Sequence, residues 1–462
     1  MSSSFDGIYE PGVVDPGLPV HNPTKPFWQS SPYQFANYRS PWPEAPVDVA
    51  IIGSGMTGSN LARSLLKLRP GLRVVLLEAR TLCSGATGRN GGHIKTMTYA
   101  DWGNRKRDLG VDEAIRVTKF EHSHLQAMSD AIRDGKIDCD LAMTDGLDVY
   151  YDEKTFAKAV AGLEDMRTYI PEVADKYKIC TDLNRLRAEM KLSDRCIGAI
   201  IVPSASLWPY KMVLGLLEPI IKDGSLNVQT NTTVLRIEDG PSRSSATIHT
   251  SQGVIEARNV VHATNGWLGH LIHELRPYVS PVRGNVVHYD ATSNASPFGL
   301  NSRYSLWMRY AAKDYDYLIQ RSGGDIVVGR ANTGRRATGD DSKTDLGPMA
   351  HLRGMADEVA ASPVKGAAAH ISHAWSGILA FTQDTSPFVG RLPFPQRQHQ
   401  WVCGAYHGVG MTKAFRTAEM MAYLILDIPL RDGYPRSMFL TDKRVADLEK
   451  SLDQGLPIKA GL

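Results

Sequence analysis

Apolar positions along the chain fall into blocks whose spacing changes from one stretch to the next. From Val47 to Ile52 the run is short, apolar and rich in β-branched residues, which predicts a buried strand. Beyond the glycines that follow, Leu61, Leu65 and Leu68 share one helical face, and Pro70-Gly71 ends that helix. Arg73-Val74-Val75-Leu76-Leu77 predicts a second strand. Helical spacing returns near Asp112–Ile132 and Lys154–Tyr177. A mainly β stretch is expected from about Leu226 to Ala263, with a hairpin around Ser251-Gln252-Gly253. Further strands are expected at Gly284–Tyr289, Tyr315–Gln320 and Asp325–Gly329, and a last helix at Lys413–Leu426 closes the fold. The alternation indicates an α/β architecture with an added antiparallel sheet.

Composition adds an arm and removes several function classes. The first 46 residues hold nine of the 26 prolines, interleaved with Phe27, Trp28, Tyr33, Phe35, Tyr38 and Trp42. That density precludes helix or central strand. An arm lying across the body is expected; the alternatives are a flexible tail and a partner-binding segment. The 462 residues allow one to three domains, and 42% hydrophobic with 22% charged is ordinary globular usage. A net charge of +3 is too mild for a nucleic-acid partner. No run approaches a membrane span. Cys83, Cys139, Cys180, Cys196 and Cys403 are scattered without a CxxC pair, and nothing completes a metal site around His370 and His373, so no metal is expected. Without a secretory or C-terminal peroxisomal signal, a cytoplasmic protein is expected, as monomer or homodimer.

The sharpest motif is Gly53-Ser54-Gly55-Met56-Thr57-Gly58, directly after a predicted strand and opening a predicted helix. Its glycines suit a tight turn, a backbone approach to pyrophosphate and close helix–strand packing, with the helix N-terminus facing the phosphates. Glu78 ends the second strand 20 residues beyond Gly58, placed to accept hydrogen bonds from a ribose diol, with Ala79 and Arg80 beside it. The bland reading is a tight turn alone. The small, polar stretch Cys83–His93 then favours FAD over NAD: Gly85, Ala86, Thr87, Arg89, Asn90, Gly91, Gly92 and His93 are candidates to contact the longer dinucleotide.

These residues resemble the D-amino-acid-oxidase/sarcosine-oxidase (DAO) superfamily of FAD-dependent oxidoreductases, nearest its γ-glutamylputrescine-oxidase-like and fungal members. The likeness continues through Asn259–Trp267, Pro281–Gly284, Trp375–Gly377, Thr382–Gly390 and Gly404–Gly410. It implies a Rossmann-type FAD-binding domain, discontinuous in sequence, plus an antiparallel-sheet substrate domain. The expected division is an arm at 1–46, FAD-binding parts at 47–140, 200–275 and 372–462, and substrate-domain parts at 141–199 and 276–371. By the same likeness Val234, Ala263, Thr264, Gly266, Trp267, Gly377 and Asp384 join the cofactor-binding set. Gly404, Gly408, Val409, Gly410, Met411 and Thr412 would pass the flavin ring.

The family reaction is oxidation of a carbon–nitrogen bond by hydride transfer to flavin, giving an imine, with O2 reduced to hydrogen peroxide in the oxidases. The resemblance implies a small amine, amino acid or biosynthetic intermediate as substrate. No cysteine stands near Gly377 where relatives attach FAD, and a histidine-linking position is occupied by Arg89, with His93 out of register, so non-covalent FAD is expected. Val327 stands where sarcosine oxidases carry a lysine that assists O2, which keeps a dehydrogenase open as the alternative. The lysine that grips a substrate carboxylate in relatives falls one position from Lys413. His407, Arg283 and Thr412 are the catalytic candidates, His407 against a hydrogen-bonded structural role and Arg283 against a surface ion pair. Tyr317, Gln320 and Arg321 lie on a strand whose alternation leaves open which face meets substrate. Trp375 and Cys403 read as core. A flavin-binding protein without turnover and an NAD-only dehydrogenase complete the competing readings.

Overall fold

Strand Val47–Ile52 sits at the centre of a parallel sheet, which is why its side chains are apolar on both faces. The computed structural model describes residues 14–31, 33–291, 298–311, 314–330, 337–355, 359–360 and 370–454. The parallel core of this first sheet runs in the order Gln400–Gly404, Val254–His262, Val47–Ile52, Val74–Leu77 and Leu226–Gln229. Ala246–Thr250 and Val234–Glu238 extend it antiparallel from Val254–His262, forming the hairpin expected around Gln252. Helix Met56–Leu68 packs on the first sheet and meets helices Pro209–Lys222 and Ala414–Ile425.

The second sheet has nine strands among the described residues. Val279–Tyr289 pairs with Ile371–Thr382 and with Ile326–Arg330; Asp314–Gln320 and Tyr304–Ala311 follow, then Ala142–Tyr150, Gly198–Ser206 and His93–Lys95. All these pairings are antiparallel except Tyr304–Ala311 with Ala142–Tyr150. Strand His93–Lys95 leaves the glycine-rich stretch and enters this sheet at once, so the two sheets meet where the Cys83–His93 segment passes between them. Gly198–Ser206 lies wholly in the second sheet and therefore crosses the expected boundary at 200.

Helix Ala414–Ile425 occurs where expected, but it is not the last. Asp442–Asp453 forms a further helix, capped by Thr441 and burying Leu448. Its one apolar stripe and its Thr441 cap are helix signals that the sequence reading passed over. Among the described residues no helix is long and apolar enough to cross a membrane.

The proline-rich segment is an arm on the body from residue 14 onward. Trp28 is fully buried and donates from Nε1 to Asn90 O (2.6 Å), while its own carbonyl accepts from Trp208 Nε1 (2.7 Å). Phe27 stacks on His288 at 3.7 Å between ring centres. Arg321 lies over the Phe27, Trp28 and Trp208 rings, and Gln29 donates to Gly88 O (3.2 Å). The prolines keep this stretch extended, and its aromatic side chains supply the apolar area that fastens it. Replacing the buried indole, Trp28→Ala, is expected to lower folding stability by about 3–5 kcal/mol, read as a shifted midpoint in urea denaturation. A loss below about 1 kcal/mol would mean that the arm is not part of the core.

Candidate functional site

The glycine turn is built as its sequence requires. Gly53 adopts φ +103°, and a Cβ there would lie 2.8 Å from Ala263 O. Gly58 lets helix Met56–Leu68 press onto the turn, since its Cβ would stand 1.9 Å from Gly53 O. Ser54 donates to Glu78 Oε2 from both its backbone N–H (3.1 Å) and its hydroxyl (2.6 Å). Glu78 Oε1 accepts from the Arg80 N–H (3.0 Å), so the carboxylate is fixed at the strand end. Gly55 is the helix N-cap and carries no capping side chain; among the described residues the Met56 N–H is met by Thr87 Oγ1 at 3.0 Å. The rest of the first turn presents its positive end to the cavity.

One cavity with ≈ 1890 Å³ of free space, its open mouth included, runs from this turn to the underside of the second sheet. It is lined by Gly53, Ser54, Gly55, Met56 and Thr57, by Glu78, Ala79 and Arg80, and by Gly85, Ala86, Thr87, Arg89, Asn90, Gly91 and His93. Val234, Ala263, Thr264, Trp267 and Gly377 line it further along, and Gly408, Val409, Gly410, Met411 and Thr412 line it from the late turn. The remaining sequence candidates lie outside it. Gly58, Gly92, Gly266 and Gly404 are close-approach glycines: a Cβ would meet Gly53 O, Leu207 O (2.8 Å), Ile378 Cγ2 (2.7 Å) and Asn265 N (3.4 Å) respectively. Asp384 turns away to form a bidentate pair with Arg444 (2.8 and 3.0 Å), which fastens the C-terminal helix.

Two of the three catalytic candidates are corrected by their surroundings. Arg283 pairs with Asp345 (2.8 Å) and donates to Asp340 O (2.8 Å); it holds the 340–345 loop against its strand and does not line the cavity. The His407 ring lies against Phe381, and its Nδ1 accepts from the Thr382 N–H (3.1 Å). Burial, with Lys413 nearby, pushes its pKa down to about 3, so it is neutral at working pH and carries no charge to manage. Ala405, His407 and Gly408 all have positive φ (61°, 52° and 79°), and the Thr382–His407 bond pins this strained turn that carries Gly408–Thr412 to the cavity. Thr412 does line the cavity, its hydroxyl on Val409 O (3.3 Å). Lys413 points instead to Glu121 (3.6 Å), inside a buried cluster with Arg105.

Residues that the sequence pattern did not single out complete the wall. Trp307, Tyr315 and Lys95 line the end under the second sheet, where Tyr317 also faces in, resolving which face of its strand meets the cavity. Tyr317 fills the space where a Cβ on Gly91 or Gly329 would fall, at 2.5 and 2.2 Å. Trp307 donates from Nε1 to His93 Nε2 (3.0 Å), which leaves Nδ1 as the protonated nitrogen of a neutral ring; burial holds the His93 pKa well below its usual value. Behind them Arg309 pairs with Asp148 (2.9 Å), which also accepts from Tyr99 (2.6 Å) and Tyr150 (2.7 Å). At the opposite end, Gly17, Leu18 and Pro19 of the arm join the wall, with Asp15 paired to His270 and Arg276 at 2.8 Å each.

The lining fits a dinucleotide by chemistry and by space. Thr264 Oγ1 and Trp267 Nε1 are buried polar atoms with no hydrogen-bond partner among the described residues, on residues that line the cavity beside Ala263. Gly85 has nothing within 4 Å of where a Cβ would be, so the wall there leaves room for a ligand. A diol acceptor at Glu78, an open helix N-terminus and small residues between them are the donor set FAD requires.

Comparison with known proteins agrees. A family model described as "FAD dependent oxidoreductase" (DAO) matches residues 48–424. The chain is 24% identical over 419 residues to "Gamma-glutamylputrescine oxidoreductase" of Escherichia coli (strain K12), covering 87% of this chain and 89% of that protein. It is 27% identical over 428 residues to "Probable oxidoreductase OrdL" of Rhizobium meliloti (strain 1021), covering 86% and 90%. The fold is shared with glycine oxidase from Geobacillus kaustophilus at a TM-score of 0.68 and 20% identity, over 86% of this chain and 99% of that one. With the family model spanning most of its length, the glycine turn in place and both sheets present, the chain belongs to the DAO family of FAD-dependent oxidoreductases.

Proposed function

We propose that the chain oxidises the carbon–nitrogen bond of a small amine, amino acid or biosynthetic intermediate to an imine, with O2 as the acceptor. The observation that carries this reading is the single cavity joining the Glu78 end to the aromatic end at Trp307, Tyr315 and Tyr317. The names of similar proteins support it, one for glutamylputrescine and one for glycine. Bound FAD would supply the two-electron acceptor, and the protein supplies orientation, desolvation and electrostatics. Glu78 would accept from the ribose diol, the helix N-terminus would face the pyrophosphate, and Thr264 and Trp267 would donate from the opposite wall. Backbone at Gly408–Thr412 would border the ring, and the aromatic end would exclude water around the substrate.

Non-covalent FAD is part of the proposal. Cys403 is buried with its sulfur near Tyr406 Oη (3.7 Å) and Thr417 O (3.8 Å), and burial pushes the thiol up to about 12, which removes it as an attachment point. One observation favours the second reading, a dehydrogenase using another acceptor. Val327 is fully buried, opposite His288 and Ile319 in the sheet, and puts no amine where the resembling oxidases carry one.

Anaerobic titration with pools of primary amines, secondary amines and amino acids is expected to bleach the flavin band with one pool, and air is expected to restore it. Recolouring only by an artificial acceptor would favour the dehydrogenase, and no bleaching by any pool would leave a flavin-binding protein without turnover. Glu78→Ala removes the acceptor for the diol and is expected to weaken FAD retention by about 10- to 100-fold in a dilution assay. Arg283→Met is expected to lower the melting temperature while leaving FAD retention and flavin bleaching as in the wild type.

A further inference from the structure

Lys95 is a lysine placed where a lysine is expensive. Its side chain is buried, it lines the cavity at the aromatic end, and it forms no ion pair with any carboxylate among the described residues. The stem crosses Gly146, where a Cβ would come within 2.4 Å of it. The amine donates to Ser305 O (3.3 Å) and stands 5.0 Å from the centre of the Trp307 ring.

The charges around it explain its state. Of the elements packed against its strand, helix Val111–Asp134 carries Glu121 and His122 and the Gly410–Thr412 turn leads to Lys413; Asp148 and Arg309 act on the amine from other strands of the second sheet, and Tyr315 and Tyr317 line the same cavity. His93 shares its own strand. Of these, Asp148 favours the charged amine and Arg309 opposes it, and Asp148 is itself engaged by Arg309, Tyr99 and Tyr150. Burial dominates, and the Lys95 pKa lies well below that of an ordinary lysine. In its deprotonated form, which burial favours, the amine would donate one N–H to Ser305 O and keep a lone pair.

Among the described residues, the other candidate bases that line the cavity are engaged or lie at its far end. His93 Nε2 accepts from Trp307, Glu78 accepts from Ser54 and Arg80, and His270 faces Asp15 at the far end. An aliphatic amine arrives at neutral pH mostly as ammonium, and an ammonium has no lone pair with which to expel a hydride from the adjacent carbon.

We propose that Lys95 is the catalytic base that receives the proton of the incoming substrate ammonium in the cavity. The step is R–NH3+ plus Lys95–NH2 giving R–NH2 plus Lys95–NH3+: one N–H bond breaks, one forms, and no electrons change hands. The new charge on Lys95 faces the Trp307 ring, and ring quadrupoles stabilise such a cation. Substrate binding then needs no proton release to solvent. A substrate carrying a carboxylate beside its nitrogen gains a counter-ion in the same step, which favours amino acids over simple amines of equal size.

This inference rests on the amine-oxidation reading, and two measurements separate their failures. The first needs no substrate: competitive labelling of the FAD-bound protein with acetic anhydride from pH 6 to 10, followed by peptide mass analysis, with exposed Lys67 as the internal reference. Lys95 is expected to reach half-labelling about three pH units or more below Lys67, as a neutral amine near pH 7 requires. A midpoint closer to that of Lys67, or no labelling of Lys95 at any pH, overturns the proposal. The second follows anaerobic flavin bleaching by the amine that the pools identify. The wild type is expected to show a rate independent of pH between 7 and 9, and Lys95→Met a rate rising about tenfold per pH unit as the free amine becomes available. Unchanged profiles in Lys95→Met, or a flat profile restored by Lys95→Arg, which keeps charge but no lone pair, would assign Lys95 a fixed electrostatic or structural role. If no amine bleaches the wild type, the functional reading fails while the labelling still decides whether Lys95 carries a free lone pair.

Discussion

A single fully buried carboxylate, Asp341, ties together the pieces of chain that make the cavity. It accepts from Arg80 (3.0 and 3.1 Å) and lies 3.4 Å from Arg89, and its backbone carbonyl accepts from the Thr24 N–H (2.8 Å). Arg89 in turn donates to Ser84 O, to Thr24 O and to Ser376 O (2.7, 2.9 and 2.7 Å). The node therefore joins the arm, the glycine-rich segment, a strand of the second sheet and the loop that follows Ala337. Burial pulls the Arg89 pKa down to about 10 even with Asp341 opposing, which still leaves it charged at neutral pH. A pair this deep gives more geometric definition than net stability, because desolvation offsets much of the Coulomb attraction. Its consequence is positional: Arg80 and Arg89 line the cavity, yet their guanidinium groups are engaged in the scaffold.

The same economy of charge holds behind the cavity wall. Arg283, Arg309 and Lys413 each have a carboxylate partner of their own, Asp345, Asp148 and Glu121. The Glu78 end of the cavity is polar through backbone groups and one fixed carboxylate, while the end under the second sheet is aromatic. Paired charges away from the ligand path keep the local dielectric low, and in such surroundings each remaining polar group acts strongly. The arm contributes to this closure: the Trp28 indole fills space beside Gly92, and Gly17–Pro19 complete the far wall.

How far the sequence carried depended on whether a requirement was local. The glycine turn, Glu78 and the helix after it follow from constraints within some thirty residues, where a positive φ at Gly53 and a 1.9 Å clash at Gly58 admit no other residue type. Strand and helix positions followed from apolar spacing for the same reason, and the extended arm followed from its prolines and aromatics. The family likeness extended the expectation to the late glycines, of which Gly408 and Gly410 line the cavity and Gly404 packs against Asn265.

Side-chain destinations were a different matter. His407 sits between two glycines of a candidate turn, yet a left-handed backbone at that residue aims its ring at Thr382 and Phe381. Asp384 was drawn off by Arg444, on a helix that meets it only in the folded chain. Lys95, Trp307 and Tyr315 come from strands far apart in the chain and meet only because the second sheet brings His93–Lys95 and Tyr304–Ala311 to one cavity. Sequence alone determined the cofactor frame, because backbone geometry at glycine and the period of apolar residues are encoded within each segment. Tertiary structure alone decided which charges stay paired and which side chains face the cavity, because those depend on contacts between segments separated by hundreds of residues.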